Sequence, residues 1–262
     1  MKKIFASLIL ILWVFSGNSY ADLYYGSQKK IIPIGDSLSG GTGDATGNVR
    51  MGYRDHLIDE LGSTYTVLGS FAEPITATGY STYHSGVGSN STAQIEERSA
   101  FEVGRISTKY FPTGSSVILW SGTNDACRIG QALAGWTRVA SVQNIQDTLD
   151  VIRLSGLNLK VYVVNLGPNG TGSCDTEMTG FNTSLLTMLT TYQASYPSFN
   201  IIYVNMKAMI QADTFGLCGG SGNFITNCYA DTTHFNDTGY TAVAKQLAAC
   251  IKNPAAANCT DI

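Results

Sequence analysis

Five short apolar runs, separated by segments of helical periodicity, constrain this chain more than any other feature of its sequence. They are Lys30–Ile34, Tyr65–Gly69, Ser116–Trp120, Lys160–Asn165 and Asn200–Val204. Several are nearly continuous in Ile, Val, Leu and Tyr, the pattern of parallel strands buried on both faces. Between them, Val142, Ile145, Leu149 and Ile152 recur at helical spacing ahead of Gly156, and Phe181, Leu185, Leu189 and Tyr192 do so ahead of Pro197. A last helix is expected over about Thr238 to Ile251. Strand–helix alternation calls for right-handed βαβ crossovers, which predicts an α/β fold: a three-layer α/β/α sandwich around a five-stranded parallel sheet. Pro33 conflicts with a central strand because it cannot donate to a ladder. It is expected at the end of its strand, where pairing stops.

The first residues read as a separate unit. Lys2 and Lys3 precede a twelve-residue, predominantly apolar run, Ile4 to Phe15, and small or polar residues follow to Ser19-Tyr20-Ala21. That is the pattern of a secretory signal peptide (1–21) cleaved after Ala21, and the apolar run is short for a membrane span. The expected mature chain, 22–262, has 241 residues, suits one domain, and would be secreted or periplasmic with no membrane anchor after cleavage. Losing Lys2 and Lys3 moves the net charge from −3 to −5, and no basic patch is visible, so nucleic acid and anionic membrane are not expected partners. All six cysteines fall in the mature part, an even count that favours disulfides in an exported chain. With no C-x-x-C and only three histidines, neither a metal site nor a cofactor is expected. Short-range closure pairs Cys218 with Cys228 and Cys250 with Cys259, leaving Cys127 and Cys174, among about 15 connectivities that six cysteines permit.

In open α/β sheets ligands bind at the carboxyl ends of the strands. Ser37 follows the first run in Gly35-Asp36-Ser37, Gly122-Thr123-Asn124-Asp125 follows the third, and Gly167-Pro168-Asn169-Gly170 the fourth, so separate motifs converge on one edge. Serine needs a base to act as a nucleophile, and histidine backed by a carboxylate supplies one. Of His56, His84 and His234, only His234 has an acid three residues earlier, in Asp231-Thr232-Thr233-His234. On a turn of helical geometry that spacing lets the Asp231 carboxylate reach the imidazole. His84 reads as a rim or loop residue and His56 as a helix-surface histidine. Asn124 carries amide donors suited to an oxyanion, although asparagine is also a common turn residue. In Tyr83-His84-Ser85-Gly86-Val87-Gly88-Ser89, Gly88 or Gly86 can offer a backbone N–H to the same oxyanion, with Gly88 nearer the following helix. Trp136 is equally readable as a sugar-stacking residue or a buried aromatic.

These four stretches resemble the signature blocks of the SGNH (GDSL-type) hydrolases, in order and across nearly the whole mature chain. Gly52-Tyr53-Arg54-Asp55-His56-Leu57, Val67-Leu68-Gly69-Ser70 and His84-Ser85-Gly86 are similar to stretches of carbohydrate esterase family 3, largely acetylxylan esterases. The resemblance implies strand order 2-1-3-4-5, metal-free catalysis by Ser37, His234 and Asp231, and an oxyanion hole from the Ser37 N–H, the Gly88 (or Gly86) N–H and Asn124. It departs at Phe235, where the family usually has proline, and in a glycine loop one residue shorter. The implied activity is a serine esterase cleaving short acyl, chiefly acetyl, esters on saccharides. The alternatives are a lipid esterase or thioesterase of the same superfamily, or a non-catalytic saccharide-binding protein on the same fold.

Overall fold

The computed structural model describes residues 28–42, 52–68, 71–72, 83–107, 113–220 and 222–262. The expected leader, residues 1–21, lies outside them.

Five parallel strands form the main sheet: β1 (Lys29–Gly35), β2 (Tyr65–Val67), β5 (Ser116–Trp120), β6 (Lys160–Val164) and β7 (Ile201–Val204). Their order is β2-β1-β5-β6-β7, as the resemblance implied. Three short strands are additions: β4 (Tyr83–Gly86), a sixth strand parallel to β1, with β3 (Phe71–Ala72) antiparallel to β4 and β8 (Cys259–Asp261) antiparallel to β7. The continuous apolar runs divide by residue parity. Ile31, Ile118, Trp120, Tyr162 and Val164 face one core layer. Ile32, Ile34, Val117, Leu119, Val161 and Val163 face the other. Helices α2 (Tyr53–Leu61) and α9 (Asp237–Lys252) cover the first layer; α3 (Thr92–Ser107), α5 (Arg138–Leu154) and α6 (Gly172–Ser195) cover the second. This two-sided burial is why the strands carry no polar alternation.

Pro33 lies inside β1, in register with Ile118, and not at the end of the strand as expected. The reason is a change of partner along one edge. Ile31 accepts from the Leu68 N–H at 2.8 Å, and Gly35 accepts from the Val87 N–H at 3.1 Å. Pro33 is in the same phase and points into the gap where β1 passes from β2 to β4, so no ladder bond is lost.

Three disulfides join Cys127–Cys174, Cys218–Cys228 and Cys250–Cys259. The first ties α4 (Thr123–Gly130) to the start of α6; the third ties the end of α9 to β8. His56 is not a plain surface residue, because its Nε2 meets the Asp237 carboxylate at 2.9 Å, where α2 packs on the first turn of α9. His84 lies on β4, and the expectation for its side chain falls outside what is described. No described helix is long and apolar enough to cross a membrane.

Candidate active site

At the carboxyl edge of the sheet, β1 and β5 end so close together that a side chain at Gly35 would run into the Trp120 carbonyl and the Ser39 hydroxyl. Close approach, rather than a special backbone bend, is what requires glycine there. Asp36 then caps the short helix α1 (Ser37–Gly40), its Oδ1 accepting from the Leu38 N–H at 3.0 Å. Ser37 is only 7% exposed, and what it faces is a histidine: its Oγ lies 2.9 Å from His234 Nε2. On the other side of the ring, Nδ1 lies 2.8 Å from Asp231 Oδ2. The residues in line come from positions 197 apart in the chain.

The Asp231–His234 segment is not the helical turn expected from its spacing. Tyr229 and Phe235 form a β-bridge, the Ala230 N–H donates to the His234 carbonyl at 2.8 Å, and residues 231–234 form the bend between. Asp231 Oδ1 accepts from the Thr233 and His234 amides at 2.6 and 2.7 Å, and this side-chain turn aims Oδ2 at the imidazole. The residue that caps α9 is Asn236, which accepts from the Gly239 N–H at 3.0 Å. Partial burial alone would raise the Asp231 pKa. The bonds from the His234 ring and the His234 and Thr233 amides outweigh it and hold the carboxyl below its ordinary value. Phe235 replaces the family's usual proline because it fills an aromatic cluster: its ring lies 4.4 Å from Tyr229, 5.7 Å from Tyr240 and 6.0 Å from Trp120.

Asn124 is the second residue of α4, whose cap, Gly122, has φ +116° at a point where a side chain would strike the Phe181 ring. The Asn124 Nδ2 donates to the Asn90 carbonyl at 3.0 Å, which uses one amide proton and leaves a second. Gly86 ends β4, and a side chain there would collide with the backbone of Ser39 and Gly40; Gly88 is exposed, with open space around it. The Val87 N–H donates to Gly35, and the Asn90 N–H to Val87 at 3.2 Å. Among the described residues, the intervening Gly88 and Ser89 amides take no partner; Ser89 adopts a left-handed φ of 62°.

Sequence reasoning missed Arg98, which joins two of these pieces. From α3, the Arg98 guanidinium donates to the Gly35 carbonyl at 2.6 Å and to Asn90 Oδ1 at 3.1 Å, and it faces the buried Glu102. One side chain thereby ties the strand before Ser37 to the loop that receives Asn124. Asp125, 1% exposed, accepts from the Thr92 N–H and hydroxyl at 2.9 and 2.7 Å and from the Ser141 hydroxyl at 2.9 Å, locking α3, α4 and α5 together. On the histidine side, the Asn169 Nδ2 donates to Thr233 Oγ1 at 3.1 Å, the Gly170 N–H to the Thr232 carbonyl at 2.8 Å, and the Tyr229 hydroxyl to the Pro168 carbonyl at 2.5 Å. The Ser91-x-x-Gln94 capping box that starts α3 was a legible signal for that helix start, though not for what Arg98 would touch. Asp36 is fully buried, which pushes its carboxyl up to about 6; the charge of Asp125 adds to the rise, and the Leu38 amide opposes it.

A serine, a histidine and an aspartate thus lie in line at the carboxyl edge of a mostly parallel sheet covered on both faces. The chain belongs to the GDSL-like lipase/acylhydrolase family, whose profile matches residues 31–247, and it is a carboxylic ester hydrolase. Its fold is similar to that of a carbohydrate esterase family 3 protein from Talaromyces cellulolyticus, with TM-score 0.60, 16% identity, and 84% of this chain and 95% of that one covered. A family 3 carbohydrate esterase from Clostridium thermocellum matches with TM-score 0.60 and 17% identity over 84% and 93% of the two chains. A catalytic mutant of Axe2, an acetylxylan esterase from Geobacillus stearothermophilus, matches with TM-score 0.59 and 14% identity over 86% and 94%. A search of curated proteins gave no match.

Proposed function

We propose that this chain is an exported serine esterase that removes acetyl groups from saccharides. The observation that carries the reading is the line Ser37 Oγ–His234 Nε2–Asp231, closed at 2.9 and 2.8 Å. His234 takes the Ser37 proton as Oγ attacks the ester carbonyl, and Asp231 holds the ring and stabilises the imidazolium. The tetrahedral oxyanion is held by the Ser37 N–H, the Gly88 N–H and the second amide proton of Asn124. The imidazolium passes its proton to the leaving alkoxide, which departs as an alcohol. Water, deprotonated by the same histidine, then cleaves the acyl-enzyme. The low pKa direction of Asp231 keeps it anionic, as the imidazolium requires.

The acetyl-saccharide reading is supported by the esterases whose fold this chain shares and by the family 3 stretches in its sequence. Export is supported by the leader pattern of residues 1–21 and by three disulfides, which persist in oxidising compartments. The test is a panel of aryl esters of increasing acyl length beside acetylated xylan, run on the wild type and on Ser37→Ala. Acetate release that disappears in Ser37→Ala is the expected result. Preference for long acyl chains with no release from xylan would assign a lipid esterase instead, and turnover by Ser37→Ala would overturn the nucleophile.

A further inference from the structure

Helix α4 presents two polar side chains to the same loop. Asn124 and Arg128 are four residues apart and so share a face. Asn124 donates to the Asn90 carbonyl at 3.0 Å, and Arg128 Nη2 to the neighbouring Ser89 carbonyl at 3.4 Å. The Arg128 guanidinium also lies over the indole of Trp136, 4.3 Å from the ring centroid. Trp136 belongs to the segment between α4 and α5, is half-buried, and is flanked by Leu133 and Val139, which are 48% and 82% exposed. Among the described residues no carboxylate pairs with Arg128, and of its five N–H donors only one is engaged.

We propose that Arg128 and Trp136 form a subsite for the sugar ring that carries the ester; this rests on the saccharide reading above. The placement follows from α4 itself. Its first turn supplies the oxyanion amide, so its second turn lies along the part of the substrate just beyond the scissile ester. The chemistry selects the ligand. A pyranose has C–H faces that stack on an indole, and hydroxyl and ester oxygens at its rim that accept from a guanidinium. An alkyl chain on the same surface would cover the Arg128 donors without bonding them, which is unfavourable.

The experiment compares kcat/KM on an acetylated xylo-oligosaccharide with kcat/KM on p-nitrophenyl acetate for the wild type, Trp136→Ala, Trp136→Phe and Arg128→Gln, each checked by thermal unfolding. Trp136→Ala should lower the saccharide-to-aryl ratio about tenfold, through the saccharide KM, the worth of one stacking contact. Trp136→Phe should retain part of it, and Arg128→Gln should lower it less. An unchanged ratio in folded Trp136→Ala and Trp136→Phe, with the wild type active on the saccharide, overturns the subsite and leaves the esterase reading standing. A wild type that cleaves the aryl ester but no acetylated saccharide overturns both.

Discussion

The two sides of the site are built by different means. The histidine side is a local construction: between Cys228 and Asn236 the chain supplies a disulfide, a β-bridge, the side-chain turn of Asp231 and the cap of α9. The proposed oxyanion side gathers Ser37, the 88–90 loop and Asn124 from three separate places, and long-range bonds from Val87, Arg98, Asn124 and Asp125 connect them. A local site keeps its geometry through short-range bonds that the sequence spaces directly. A gathered site depends on buried polar side chains that report on the packing of whole helices, so it is the side more easily loosened.

Substitutions can break this comparison in order of size. His234→Ala should reduce kcat by at least about 10³, since among the described residues His234 is the base bonded to Ser37; steady-state kinetics on an aryl acetate reads it. Asn124→Ala should cost on the order of 10²–10³ in kcat with little change in KM if it donates to the oxyanion. A folding defect with normal turnover per folded molecule would make it a turn residue only. Arg98→Lys keeps a cation beside Glu102 but cannot span two acceptors, so kcat should fall about tenfold with the pH–rate profile unmoved. Its counterpart Asn169→Ala, on the histidine side, should change kcat less and shift the limb of that profile governed by the base. If the two variants gave the same pattern, the proposed independence of the two sides would fail.

The disulfides sharpen the contrast through stability. Cys127–Cys174 closes a separation of 47 residues and Cys218–Cys228 one of 10. Replacing each pair by serine should cost about 4 and about 3 kcal/mol respectively by loop entropy, read by urea unfolding. Only loss of the first should loosen α4 and with it the Asn124 arm.

The two aspartates of the site provide the smallest effect, and their signs are opposite. The folded pKa of Asp231 lies below its ordinary value, so its contribution is present above that value and lost as pH falls through the folded one. Asp36 is raised from 3.8 to about 6, so the fold is favoured below 3.8 and loses that support as pH rises through about 6. Asp36→Asn can still cap α1, and should flatten the fall in melting temperature between those pH values. An unchanged pH dependence would mean that Asp36 stays charged without penalty.

Much of the fold was legible because it rests on composition at short range. Val117–Trp120 and Val161–Val164 are apolar at every step, and a parallel sheet covered on both faces buries every one of them. Ser37, His234 and Asp231 were equally legible as candidates, because three histidines leave few choices and only one has an acid at short spacing. The Asx turn was not legible, since Asp-x-x-His fits a helical turn as readily, and which forms depends on the Tyr229–Phe235 bridge. Pro33 in mid-strand was illegible for a similar reason: whether its missing N–H matters depends on how β2 and β4 share one edge.

By itself, then, the sequence determined the strand–helix alternation, the candidate nucleophile and base, and the even set of cysteines. These follow from side-chain chemistry and spacings of a few residues. Only the tertiary structure decided that Arg98 joins the serine strand to the Asn124 loop, that Asn169 holds Thr233, and that Arg128 stacks on Trp136. A guanidinium or an amide has the same character anywhere in a chain. Its partner is set by which helices pack side by side, and that is a property of the assembled layers.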